Sequence, residues 1–171
     1  MVEEMGLVSE PESPGSVFEL LEGTWRGEGK GEYPTIDTFH YRETLTFERR
    51  SALSLFYIQR TERFAAGQTG STMTSHWESG FIDVLETNEL QLANVQSGGR
   101  GEVLTGKIER TGRQIRLIFS SKSVANDERM VSTSRMFEIE GDTLGYEMDM
   151  ATTRVDELTR HVFATLKRIV G

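Results

Sequence analysis

Glycine occupies positions 23, 27, 29 and 31, with Trp25 in the same phase. Thr24, Arg26, Glu28 and Lys30 fill the alternate phase. A period of two is that of a β-strand with one polar face. The other face is nearly bare backbone beside one indole. Glycine weakens a strand unless the chain must bend or another group must come close. Four in one strand predict the strongly coiled first strand of a closed barrel. Its interior is expected to be kept open, with Trp25 as a plug at the floor.

Short strand patterns follow along the chain. Phe39, Tyr41, Leu45 and Phe47 alternate with His40, Arg42, Thr44 and Thr46. Further strands are expected over 53–63, 73–84, from Leu90 to Gln96, and over 102–109, 114–121, 131–140, 143–150 and 162–170. A loop with Gly67 and Gly70 separates two of them. About ten short strands with regular turn signals predict an all-β, antiparallel up-and-down barrel of the lipocalin and fatty-acid-binding type. A barrel of that size holds one small ligand. Ser16, with Glu19 three residues on, reads as a capping box that opens one short N-terminal helix ending at Gly23. Residues 1–15 are acidic with Pro11 and Pro14, and read as a flexible leader; 16–171 reads as a single domain.

Composition narrows the function. The 171 residues contain no cysteine, which excludes disulfides, thiolate metal sites and cysteine catalysis. The formal charge is −8 and the basic residues are scattered, so nucleic acid is not an expected partner. No apolar run approaches the roughly 18 residues of a membrane span. A cytoplasmic protein is expected, monomeric or homodimeric. No carboxylate pair or nucleophile constellation appears.

Three histidines are present. His40 alternates with inward Phe39 and Tyr41 and should face solvent. His161 precedes the apolar alternation Val162, Ala164, Leu166 and is out of phase with it, so a plain strand would turn it outward. Leu158, His161 and Val162 also have the spacing of a helical turn, which would deliver the imidazole to the barrel mouth. His76 shares a phase with Glu78, Gly80 and Ile82, while Trp77 and Phe81 take the other; the pattern leaves the inner side open. Gln96 shares the face of Leu90 and Leu92 and should point inward, where a buried amide needs partners. Met150 continues the stripe Leu144, Tyr146, Met148, of which Met148 reads as plain core. Arg135 reads as a solvated arginine rather than a carboxylate clamp.

Gly23-Thr-Trp-Arg-Gly-Glu-Gly29, Tyr33-Pro-Thr35 and Phe39-His-Tyr41 resemble the nitrobindins, haem-binding relatives of the fatty-acid-binding proteins. His76-Trp-Glu-Ser-Gly-Phe81, Ala93-Asn-Val-Gln-Ser97 with Gly99, Met150-Ala-Thr-Thr153 and His161-Val-Phe-Ala-Thr-Leu-Lys167 extend the likeness in order. The resemblance implies a ten-stranded barrel with one ferric haem b per chain. His161 would be the axial iron ligand and Thr35 would lie at the haem edge. His76, Gln96 and Met150 would line the haem cavity, His76 as the distal group. Nitric oxide and peroxynitrite would be the ligands, the latter isomerised to nitrate. This chain departs from the family between Thr153 and His161: it lacks a proline there, has Asp156, and is one residue longer than eukaryotic members. The alternative reading is a haem-free carrier of a fatty acid or another small apolar ligand, which would call for two or three inward arginines.

Overall fold

The computed structural model describes residues 13–64 and 72–170. One helix, α1 (Pro14–Leu21), precedes ten strands. These are β1 (Gly23–Tyr33), β2 (Ile36–Ser51), β3 (Ser54–Phe64), β4 (Thr72–Val84), β5 (Leu90–Gln96), β6 (Gly101–Thr111), β7 (Gln114–Ala125), β8 (Met130–Glu140), β9 (Thr143–Thr152) and β10 (Val155–Arg168). Each pairs antiparallel with the next, and β1 closes on β10. The expected up-and-down barrel is therefore the observed one. The Gly67–Gly70 loop and most of the leader lie outside the described residues.

The helix starts earlier than expected. Its N-cap is Ser13, whose Oγ accepts from the Ser16 backbone N–H at 3.3 Å, and Pro14 takes the first turn. Ser16 therefore lies inside α1 rather than capping it. Val17, Phe18 and Leu21 are fully buried. Trp25 plugs this end, donating from Nε1 to the Leu21 carbonyl at 2.8 Å. Arg168 ties the last turn of α1 to the end of β10, donating to the Leu20 and Glu22 carbonyls at 2.6 and 2.7 Å.

The glycines of β1 do not hold the interior open. Gly29 and Gly31 pair across β2 with Tyr41 and Phe39. A Cβ at either glycine would overlap the ring opposite. The bare backbone is a bed on which two aromatic rings lie, the usual rescue of glycine in a curved sheet. At Gly27 a Cβ would collide with the Thr165 and Leu166 backbone, so coiling of β1 against β10 requires glycine there. Above α1 the barrel is packed solid by rings and aliphatic chains, including Phe47, Phe119, Phe137, Leu92 and Leu104. Open space is confined to the opposite end.

Candidate functional site

A belt of buried polar residues divides the apolar floor from the open end. Glu43, Gln59, Glu78, Asn94, Glu102 and Arg135 are each under a tenth exposed. Arg135, at 2% exposure, is not the solvated arginine that was expected. It lies in phase with Phe137 and Ile139 on β8, which puts it inside. Its Nη1 donates to Glu78 Oε1 at 2.6 Å and to the Tyr146 hydroxyl at 3.1 Å. Its Nη2 donates to Glu102 Oε2 at 2.5 Å. Both ends of the guanidinium are thus committed inside the protein.

Two carboxyls of this belt, Glu78 and Glu43, differ. Burial opposes ionisation of Glu78, yet the Arg135 charge and donors from His76 and Tyr57 outweigh it and hold the group down at about 2. Glu43 has no such cation. Burial pushes it up to about 7, against a hydrogen bond from Gln59 at 2.7 Å, and the negative Glu78 adds to the rise.

Above the belt lies a cavity of about 210 Å³, lined by Tyr41, Gln59, Glu78, Arg135 and Met148 below and by His76, Gln96, Arg63, Arg100 and His161 nearer the mouth. A second space of about 590 Å³ opens from the mouth and is lined by Tyr33, Thr35, Arg63, Arg100, Met150 and His161 among others. His161 borders both.

His161 reaches this position through a register shift, not a helical turn. β10 is strand from Val155 onward. Arg160 pairs with Asp149 and Val162 with Met148, which leaves His161 as the extra residue of a β-bulge. A bulge re-aims one side chain against the alternation of its strand. The ring is held edge-on by Tyr33 and Phe39, with centroids at 5.7 and 6.3 Å. Tyr33 is fixed in turn by its hydroxyl, which donates to the Met150 carbonyl at 3.2 Å. Nδ1 of His161 is buried and makes no hydrogen bond. Burial pushes the imidazole pKa down, and the Arg100 and Arg63 charges push the same way; the Glu32 backbone opposes them. A half-buried imidazole with a lowered pKa, at the junction of two cavities, fits the neutral nitrogen donor that iron needs.

His76 faces inward with Glu78, Gly80 and Ile82, which resolves the phase of β4. Its Nε2 lies 3.2 Å from Glu78 Oε2. Gln96 is buried, donates to Asn94 Oδ1 at 3.4 Å and borders the inner cavity. Thr35 sits exposed in the β1–β2 turn, on the rim of the outer space. Met150 borders the outer space and Met148, expected to be plain core, borders the inner one. His40 is exposed. Glu43, Glu102 and Arg63 were not singled out from the sequence, and Arg100 only as one of several arginines weighed for a carrier. The alternation marks Glu43, which shares its phase with Tyr41 and Leu45, and Arg63, which shares that of Leu55, Tyr57 and Gln59 on β3.

A closed ten-stranded barrel, polar at its waist and open above it beside a half-buried histidine, belongs to the class of small-ligand-binding barrels. The profile of the THAP4-like, heme-binding beta-barrel domain matches residues 16–168, and the chain belongs to that family. A protein of Arabidopsis thaliana named peroxynitrite isomerase is 34% identical over 149 residues, covering 87% of this chain and 85% of its own. A peroxynitrite isomerase of Nocardia farcinica is 32% identical over 151 residues, covering 86% of each. The crystal structure of Rv2717c from M. tuberculosis superposes with a TM-score of 0.80 at 26% identity, covering 94% of this chain and all of that one. The likeness to nitrobindins read from the sequence holds. No helix among the described residues is long and apolar enough to cross a membrane.

Proposed function

We propose that this barrel holds one haem b per chain, ferric at rest and ligated by His161, and isomerises peroxynitrite to nitrate; it also binds nitric oxide. The observation that supports this reading is the bulged, half-buried His161, its pKa pushed down, at the junction of the two cavities. The names of the relatives supply the substrate. We place the protein in the cytoplasm, as a monomer or homodimer.

The chain's own residues do four things. His161 offers a neutral nitrogen to the metal. Tyr33 and Phe39 keep its ring from turning. Arg63 and Arg100 put positive charge at the mouth, where an anion enters. The packed floor closes the far end against water. Bound haem would supply the chemistry, an iron with Lewis acidity toward the peroxo group. Thr35 and Met150 are proposed contacts at the haem edge, and His76 and Gln96 on the ligand side.

The haem-free carrier reading calls for two or three inward arginines: Arg135 is engaged by Glu78 and Glu102, while Arg63 and Arg100 line the cavity nearer the mouth. Hemin titration of the apoprotein tests the proposal. A sharp, saturable one-to-one Soret band is expected, and His161→Ala should lose it. An unchanged band in that variant would remove His161 as ligand. Stopped-flow decay of peroxynitrite with the loaded protein then tests turnover.

A further inference from the structure

His76 and the buried belt meet at one contact, and that contact has a definite polarity. We propose that Glu78 is a positioning residue for His76: it fixes the ring with its proton on Nε2 and leaves Nδ1 as the acceptor.

The argument runs from donor and acceptor inventory. Glu78 is buried on β4, its side chain 1% exposed. Oε1 accepts from the Tyr57 hydroxyl at 2.6 Å and from Arg135 Nη1 at 2.6 Å. Oε2 faces His76 Nε2 at 3.2 Å. Arg135 is anchored at its other end by Glu102, so the guanidinium cannot swing away. A carboxylate gripped by a cation in this manner stays ionised, and an ionised carboxylate only accepts. The low pKa of Glu78 agrees with that state. The nitrogen that faces it must therefore donate. In the neutral ring the proton is on Nε2, and Nδ1 has a lone pair.

β4 is built to make this contact. Thr61 pairs with His76 and Glu62 with Thr74, so Ser75 is an extra residue in the strand. The bulge sits immediately before His76, where it turns the strand end toward the mouth. Both histidines of the mouth thus stand at bulges, on different strands.

The consequence rests on the haem reading. In the neutral form of the ring, Nδ1 meets a ligand as an acceptor, which favours a ligand carrying an O–H over one that carries no proton. Peroxynitrous acid has that proton; its anion and nitric oxide do not. The chain gives His76 a preference by wiring its far side rather than by any group at the ligand.

The tautomer is read by long-range ¹H–¹⁵N correlation on the labelled full-length apoprotein at about pH 8, above the ordinary histidine range. His40→Gln and His161→Gln assign the remaining ring. Wild-type His76 should show the Nε2–H form alone. Glu78→Gln replaces a pure acceptor by an amide that can also donate, so a resonance of the Nδ1–H form should appear. An Nδ1–H or mixed signal in the wild type would overturn the proposal, even if Glu78→Gln does not fold. An unchanged tautomer in folded Glu78→Gln would overturn it too. Because the apoprotein carries the readout, a failure of hemin to bind would leave this result intact, and a wrong tautomer would leave the haem reading intact.

Discussion

At position 43 a carboxyl group sits inside the barrel, out of reach of an ion pair with Arg135. Glu43 is fully buried and accepts from the Gln59 amide at 2.7 Å. Its pKa is raised from 4.5 to about 7. The sign follows from linkage. Below pH 4.5 the group is protonated whether the chain is folded or not. Between 4.5 and about 7 the unfolded chain releases the proton first, so stability falls as pH rises. At 1.36 kcal/mol per pH unit the loss approaches about 3 kcal/mol. Glu43→Gln cannot ionise, so urea unfolding should find the variant gaining on the wild type between about pH 5 and pH 8. Parallel pH profiles would show that Glu43 stays ionised or finds water. This residue was legible in the sequence, in phase with Phe39, Tyr41, Leu45 and Phe47. A carboxylate in an apolar stripe is easily passed over because its partners come from other strands.

Two elements, β1 and β10, build the wall around His161, and they differ in how far the sequence discloses them. The glycine alternation announces β1 and its coiling. What it hides is that the space belongs to the neighbouring strand, whose Tyr41 and Phe39 rings fall on Gly29 and Gly31. The alternation of β10 misleads at the one residue that matters, since an inserted residue reverses the phase without leaving a compositional trace. The family resemblance identified His161 where periodicity pointed outward. Register shifts fall between Val155 and Thr159 and again at His161. Gly31→Ala tests the coupling of the two strands. The added methyl must displace Phe39, whose ring abuts His161. Overpacking of this kind costs about 1–3 kcal/mol. Thermal unfolding should record that loss, and hemin affinity should fall with it. A variant with unaltered melting and hemin binding would show that Phe39 has room to move and does not brace the histidine.

Across the whole molecule, a buried charged cluster lies between the barrel's apolar floor and its site. β4, β6 and β8 contribute Glu78, Glu102 and Arg135 to one buried cluster, 57 and 33 residues apart from the arginine along the chain. None of these pairings is visible in local sequence, because the barrel brings strands together only on closure. Such a cluster need not stabilise the fold more than a good apolar core, but breaking it is costly. Arg135→Met strands two carboxylates in the interior. Removing one partner of a buried ion pair typically costs about 3–5 kcal/mol, and urea unfolding near neutral pH should give a loss of that size. The pH dependence then reverses for Glu78. In the wild type its low pKa contributes stability above about 4.5, which is lost as pH falls toward about 2. Without Arg135, burial of Glu78 is opposed only by the His76 and Tyr57 donors, its carboxyl rises, and stability falls as pH rises. The deficit of Arg135→Met should therefore be smaller at about pH 5 than at about pH 8, because protonation removes the stranded charges. Adding Glu78→Gln and Glu102→Gln to Arg135→Met should recover stability at the higher pH. A deficit independent of pH, and not relieved by the glutamines, would mean that Arg135 matters through its packing volume and not through its charge.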